Sequence, residues 1–348
     1  MRVHVATQLR GNFGDELNRW LWQGVLAGGW DNKDDDVLFV GIGTVLDRNL
    51  PSARLTIVFG TGTGYTPAPP DISAHPSRWR IYGVRGPLTA RALNLDERAA
   101  MTDPAILLAT LPEFKGLKRH GVIFVPHWKS VRYGEWERIC KTLGIEFVDP
   151  CQDSKLVVRR IASAEKVIAE SMHAAIIADA FRIPWIPVAL SREISPFKWV
   201  DWASSLNVAY RPACLPPSNG IERLRNAMLT WTVHWNATDY PSSRQVAEGA
   251  CMHFEADRLL ANLDEIGRRI NQRWRWNASI GLEAALKRLA RLGLGSDQRM
   301  LGVATERLGK VMSGDGYLSS DHAHAHALDD TLGRLDKFAR DLNSGAFS

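Results

Sequence analysis

Lys166-Val167-Ile168-Ala169-Glu170-Ser171-Met172-His173, continuing through Ala174 to Phe181, is the stretch that decides the fold. Lys166–Ala169 reads as a strand and His173–Phe181 as a helix, and a further strand follows at Trp185–Ala189. Strand, helix and strand at this pace imply a parallel sheet with crossover helices. Upstream the pattern repeats: strand Gly121–Val125, helix Tyr133–Leu143, strand Ile145–Val148 and helix Lys155–Ala162. A similar series precedes it. Val3–Thr7, Asp36–Val40, Leu55–Phe59 and Arg80–Val84 read as strands. Glu16–Leu26 reads as a helix with Asp15 as its N-cap, and another helix starts at Pro87, where a missing N–H costs nothing. Pro112–Arg119 reads as a linker. The fold class is therefore α/β, with two doubly wound domains facing a cleft, over residues 1–113 and 119–252. Beyond them, 253–348 is expected to be a helical C-terminal extension and tail. Leu259, Leu260, Leu263, Ile266 and Ile270 recur at helical spacing, as do Leu282, Ala285, Leu289 and Leu292, while the last thirty residues are polar and read as partly mobile.

The chain has 348 residues, 45% hydrophobic and 23% charged, enough apolar content for two cores and too much for wholesale disorder. No apolar run is long enough for a membrane span, and the start lacks the features of a signal peptide. The four cysteines show no CxxC spacing, which excludes a zinc ribbon and fits reduced thiols in the cytoplasm. The net charge is +5, and residues 261–310 supply it with ten Lys/Arg against five Asp/Glu. Basicity so localised excludes a uniformly basic nucleic-acid binder, and no nucleic-acid partner is expected.

Ligands of open parallel sheets bind at the carboxyl ends of strands, beside helix N-termini. There lie Asn12 and Gly14 of Gly11-Asn12-Phe13-Gly14-Asp15, Gly41 and Gly43 of the first glycine turn, and Gly62 of the second. Arg85 precedes Gly86-Pro87, and Ser171 is positioned to cap a helix with His173 in its first turn. A histidine there sits beside a positive dipole end, which disfavours its protonation and suits proton transfer near neutral pH. The guanidinium of Arg85 can grip a carboxylate or phosphate, and Lys198 adds a point charge. The pattern describes a site for a small, multiply charged anion. Neither glycine turn completes a dinucleotide-binding fingerprint. The alternating His322, His324 and His326 would share one face of a strand but not of a helix, and no metal site is expected there.

These residues resemble the polysaccharide pyruvyl transferase family, particularly enzymes of succinoglycan-type exopolysaccharide synthesis. The resemblance rests on Gly11-Asn12-Phe13-Gly14-Asp15, Gly41-Ile42-Gly43, Val84-Arg85-Gly86-Pro87, Asp103-Pro104, Ser171-Met172-His173, and the spaced Lys198, Trp202 and Leu206, in that order. It implies two Rossmann-like domains in a GT-B-like arrangement. It also implies transfer of a pyruvyl group from phosphoenolpyruvate to a sugar as a cyclic ketal, with phosphate released and no further cofactor. Arg85, His173 and Lys198 match the family's functional Arg, His and Lys. His173 is then the acid/base group or phosphate partner, and Asp15 or Glu170 would deprotonate a hydroxyl. Where many members carry an Arg two residues before the His, this chain has Ser171, and Arg192 could replace it. Replacing Arg85, His173 or Lys198 by Ala should remove activity and leave the fold intact.

The acceptor implied is an oligosaccharide on a polyprenyl diphosphate carrier. Arg268, Arg269, Arg273 and Arg275 around Trp274 and Trp276, with Lys287, Arg288 and Arg291, would then suit docking to an anionic membrane on the inner face of the plasma membrane. Alternatively, their apolar neighbours pack on the core and the arginines are solvated. Two rival functions remain: a nucleotide-sugar glycosyltransferase of the same fold, and a catalytically silent scaffold of a polysaccharide assembly complex.

Overall fold

The computed structural model describes residues 1–6, 11–26, 35–47, 50–64, 69–229, 281, 284–286, 288–289 and 295–347. In the first half, β1 (Arg2–Val3) leads to the short helices α1 (Phe13–Glu16) and α2 (Leu21–Val25). Then come β2 (Val37–Val40), β3 (Leu55–Phe59), β4 (Trp79–Gly83) and α3 (Pro87–Ala92). The four strands are parallel and lie side by side in chain order. Every residue of β2 and β3 is buried, as expected for strands covered on both faces.

The second half contains β5 (Val122–Val125), α4 (Trp136–Leu143), β6 (Glu146–Phe147), α5 (Ser154–Ala162), β7 (Lys166–Ala169) and α6 (Met172–Ala180). It continues with β8 (Trp185–Ala189), α7 (Pro196–Ser205), β9 (Ala213–Cys214) and α8 (Gly220–Leu229). Its parallel sheet has the order β6-β5-β7-β8-β9. The direction of winding reverses at β5, so the carboxyl ends of β5 and β7 flank a topological switch point, where such sheets bind ligands. All of α6 is buried, because its outer side meets the 3₁₀ segment Pro104–Thr110 of the first half. One apolar core accordingly runs through both sheets, from Phe39 and Phe59 to Ile123, Val167 and Trp185.

Three local expectations are corrected. The helix expected over Glu16–Leu26 is broken: a 3₁₀ turn at Leu17–Arg19 ends at Trp20, whose φ of −137° interrupts the run before α2. Asp15 is not an N-cap but the third residue of α1; the extended residue before that helix is Asn12. The tail is not loose. Ser320 caps α10 (Asp321–Asn343), preceded by α9 (Gln298–Met312), and Thr331, Leu335 and Phe338 of α10 are buried. Phe338 lies 5.3 Å from the rings of both Phe39 and Tyr82, so α10 closes the first sheet. The histidines at 322, 324 and 326 occupy its first turns, where residues two apart do not share a face.

Phe114, within the expected linker, is buried against Trp20 and Phe181. The apolar positions 259–270 and the basic and aromatic residues 268–276 lie outside the described residues, as do 282, 287, 291 and 292. Of that stretch, Leu286 is buried beside Tyr133 and Ile221, while Ala285, Arg288 and Leu289 are exposed. Cys140, Cys151 and Cys214 are free thiols. Among the described residues no helix is long and apolar enough to cross a membrane.

Candidate functional site

The Gly41-Ile42-Gly43 turn after β2 is held by Asn18. Its Oδ1 accepts from Ile42 N at 2.8 Å, and its Nδ2 donates to Ile42 O at 2.9 Å and to Asp15 O at 3.2 Å. Gly43 has a φ of +117°, a conformation glycine adopts without strain. Asp15 stands beside it, one carboxyl oxygen accepting from Asn12 Nδ2 at 2.9 Å. Burial pushes the Asp15 carboxyl up to about 6, against the pull of Asn12 and Lys198.

Arg85 follows β4 and is wholly buried. Its Nε donates to Asp201 Oδ2 at 3.0 Å, and its two terminal nitrogens donate to Thr44 Oγ1 at 2.7 Å and Thr63 O at 2.8 Å. Gly62 lies flat on the guanidinium, where a Cβ would come within 2.4 Å of Cζ. Asp201 also accepts from Thr89 N at 2.9 Å and Thr89 Oγ1 at 2.6 Å, at the start of α3. The fork of Arg85 is thus turned to protein partners. What it holds is α7, which presents Lys198 one turn before Asp201. Ser195 Oγ ties the start of the same helix to Gly64 O at 3.0 Å. Lys198 is buried, and its charge acts on Asp15, His173 and His127.

His173 lies in the first turn of α6, with Ser171 at the N-cap position but making no capping bond through its side chain. The ring is clamped. A Cβ on Gly14 would meet Nδ1 at 2.0 Å, the Phe13 ring stands edge-on at 6.4 Å, and Nε2 is 3.9 Å from Asp103 Oδ2. The imidazole pKa is driven down to about 3, by burial first and then by Lys198 and Arg85. The direction agrees with the reading from the helix start, but burial is the principal cause. Asp103 is pushed up to about 6, again chiefly by burial.

Glu170 is placed differently. Its Oε2 accepts from His127 N at 2.8 Å and its Oε1 from Leu190 N at 3.0 Å, so it ties the loops after β5 and β8 together. Burial raises it to about 7. Arg192 is half-buried on the turn after β8. The structure therefore brings Asn12, Gly14, Asp15, Gly43, His173 and Lys198 to one place. Arg85 and Gly62 stand behind them, and Gly41 packs on Trp22. Reading the sequence for function missed Asn18, His127 and Asp201, and took Asp103 only as part of a motif. No local signal singles out Asp201: it falls three residues after Lys198 on one helix, but the arginine it pairs with lies 116 positions away.

The family model for polysaccharide pyruvyl transferase matches residues 10–192. The chain belongs to that family. The matched segment of this pyruvyl transferase carries the glycine turns, Asp15, Arg85, Asp103 and His173, and ends shortly before Lys198 and Asp201. The enzyme is 43% identical over 252 residues to the succinoglycan biosynthesis protein ExoV of Rhizobium meliloti (strain 1021), an overlap of 71% of this chain and 79% of the relative. No solved structure matches it.

Proposed function

We propose that this pyruvyl transferase moves the pyruvyl group of phosphoenolpyruvate onto two hydroxyls of one sugar in an exopolysaccharide precursor, forming a cyclic ketal and releasing phosphate. The observation that carries this reading is a buried His173 packed on Gly14 and 3.9 Å from Asp103 Oδ2, with the charge of Lys198 acting on both it and Asp15. The donor carries a carboxylate and a phosphate, and Lys198 and the start of α6 supply positive potential for them. Protonation of the methylene carbon makes C2 electrophilic. One hydroxyl adds, phosphate leaves, and the second hydroxyl closes the ring. Of the two hydroxyl protons, one ends on the new methyl group and one on phosphate. His173 is the group for proton delivery at the methylene or for contact with the phosphate. Asp15 is the base for a hydroxyl. Arg85 acts as a positioning residue that holds α7 and Lys198, and Glu170 as one that holds the loops at the switch point. The steps are proton transfers and charge neutralisation, so we assign no cofactor beyond the donor.

On this reading the two halves face each other in a GT-B-like layout. The acceptor is a succinoglycan-type oligosaccharide on a polyprenyl diphosphate, and the basic stretch around 268–276 docks on an anionic inner membrane. The test is to mix the enzyme with phosphoenolpyruvate and lipid-linked oligosaccharide. Phosphate release with a pyruvyl ketal in the product is the expected result. Consumption of a nucleotide sugar instead would establish the glycosyltransferase alternative, and inertness to both would leave a scaffold.

A further inference from the structure

His173 and Asp103 each bury a polar atom without a partner. Nε2 of His173 and Oδ2 of Asp103 face one another across 3.9 Å, and neither is hydrogen-bonded within the described residues. Two such atoms side by side call for an explanation, since buried polar atoms are almost always paired. The gap exceeds a hydrogen bond, but catalytic contacts are often long before substrate binds. Both groups are otherwise fixed. Asp103 Oδ1 accepts from Ala105 N at 3.0 Å and caps the buried segment Pro104–Thr110, while Gly14 and Phe13 confine the imidazole.

We infer that Asp103 is the positioning residue for His173, engaging Nε2 through Oδ2 so that Nδ1, turned toward Gly14, is the nitrogen offered to substrate. The inference rests on the proposed role of His173 only for its consequence in catalysis; the pairing itself is a property of the free enzyme. The consequence concerns charge. Burial disfavours an imidazolium here, and the charges of Lys198 and Arg85 act in the same direction. The pairing allows the ring to deliver a proton without ever holding two. Protonated Asp103 donates to Nε2 and leaves the ring proton on Nδ1. As Nδ1–H passes its proton to the methylene carbon, Oδ2–H passes its own to Nε2. The ring stays neutral and Asp103 becomes a carboxylate. When Nδ1 later accepts a hydroxyl proton, Nε2–H returns its proton to Oδ2 and the cycle closes. Asp103 is suited to both states, since burial raises it to about 6 while Asp15 and Asp201 act against its ionisation and Arg85 favours it.

The experiment is ¹⁵N NMR of the histidine rings in the full-length enzyme without substrate, with the His173 signals identified by their loss in His173→Gln. In the wild type, His173 should remain neutral and shift its proton between Nδ1 and Nε2 as Asp103 titrates, between about pH 5 and pH 8. Asp103→Asn retains an oxygen for Ala105 N but can only donate toward Nε2. It should fix His173 as the Nδ1–H tautomer at every pH and lower turnover roughly a hundred-fold or more. A wild-type ring whose tautomer ignores pH overturns the pairing, whether or not the Asn variant folds. So does an Asn variant with the wild-type tautomer and pH response. If the pairing is seen while His173→Gln retains full turnover, the pairing stands and the catalytic reading of His173 falls.

Discussion

Arg85 and Asp201 stand 116 positions apart in sequence, on opposite halves of the molecule, and meet at 3.0 Å with neither side chain exposed. A buried ion pair broken from one side leaves an uncompensated charge, at a cost of about 3–5 kcal/mol. Arg85→Ala should therefore lose stability as well as activity, unlike the fold-neutral loss expected from sequence. Denaturant unfolding of Arg85→Ala, Asp201→Asn and the double variant checks this. The double variant should lose clearly less than the two single losses together. Additivity would remove Arg85 from its positioning role.

Gly14→Ala tests the clamp on His173. The new methyl would lie 2.0 Å from Nδ1, well inside van der Waals contact, so the ring or α1 must shift. The expected cost is about 1–3 kcal/mol of stability, with turnover nearly abolished in protein that is still folded. Retained wild-type turnover would show that the imidazole does not need its present place.

Lys198→Met removes a charge that lowers the pKa of both Asp15 and His173. Both should rise in the variant, followed by NMR titration. Turnover should fall roughly ten- to a hundred-fold, the loss of one charge-assisted contact worth about 1.5–3 kcal/mol.

Glu170 predicts a dependence of stability on pH. Its folded pKa, about 7, stands above the ordinary 4.5. The stabilisation tied to its bound proton is fully present below the unfolded value and is lost as pH rises through about 7. Glu170→Gln cannot accept both backbone N–H groups and should melt at lower temperature than wild type. Its deficit should be greater near about pH 5 than near about pH 8, because only the wild type bears the ionisation cost at high pH. A deficit that widens with pH would contradict the sign.

Phe338→Ala should cost about 3–5 kcal/mol, since the ring is fully buried against Phe39, Phe59 and Tyr82. An unchanged melting temperature would mean that α10 does not complete the first sheet.

The fold was legible where local pattern and tertiary role agree. Lys166–Ala169 and Trp185–Ala189 have the bounds read from sequence, because each is an apolar run with turn residues beside it. The tail was misread because its polar surface hides a sparse apolar seam. Ala327, Thr331, Leu335 and Phe338 recur at helical spacing, with a threonine in one of the four places. The site was legible as a set of strand ends, but not as a set of partners. Nothing near Arg85 in sequence indicates that Asp201 will occupy its guanidinium, nor does anything near Glu170 indicate that two backbone amides will hold both its oxygens. Such pairings are decided by how the halves pack, which local sequence does not encode.

The continuity of the core across both sheets bears on how the protein melts. Phe13 N donates to Pro150 O at 2.9 Å and Ser154 Oγ to Phe13 O at 2.8 Å, so the start of α1, which carries Gly14, is held jointly by the two halves. Neither half can lose its structure without exposing apolar surface of the other. Heat should then disrupt both in a single cooperative event, and α1 should have no separate, lower melting point of its own.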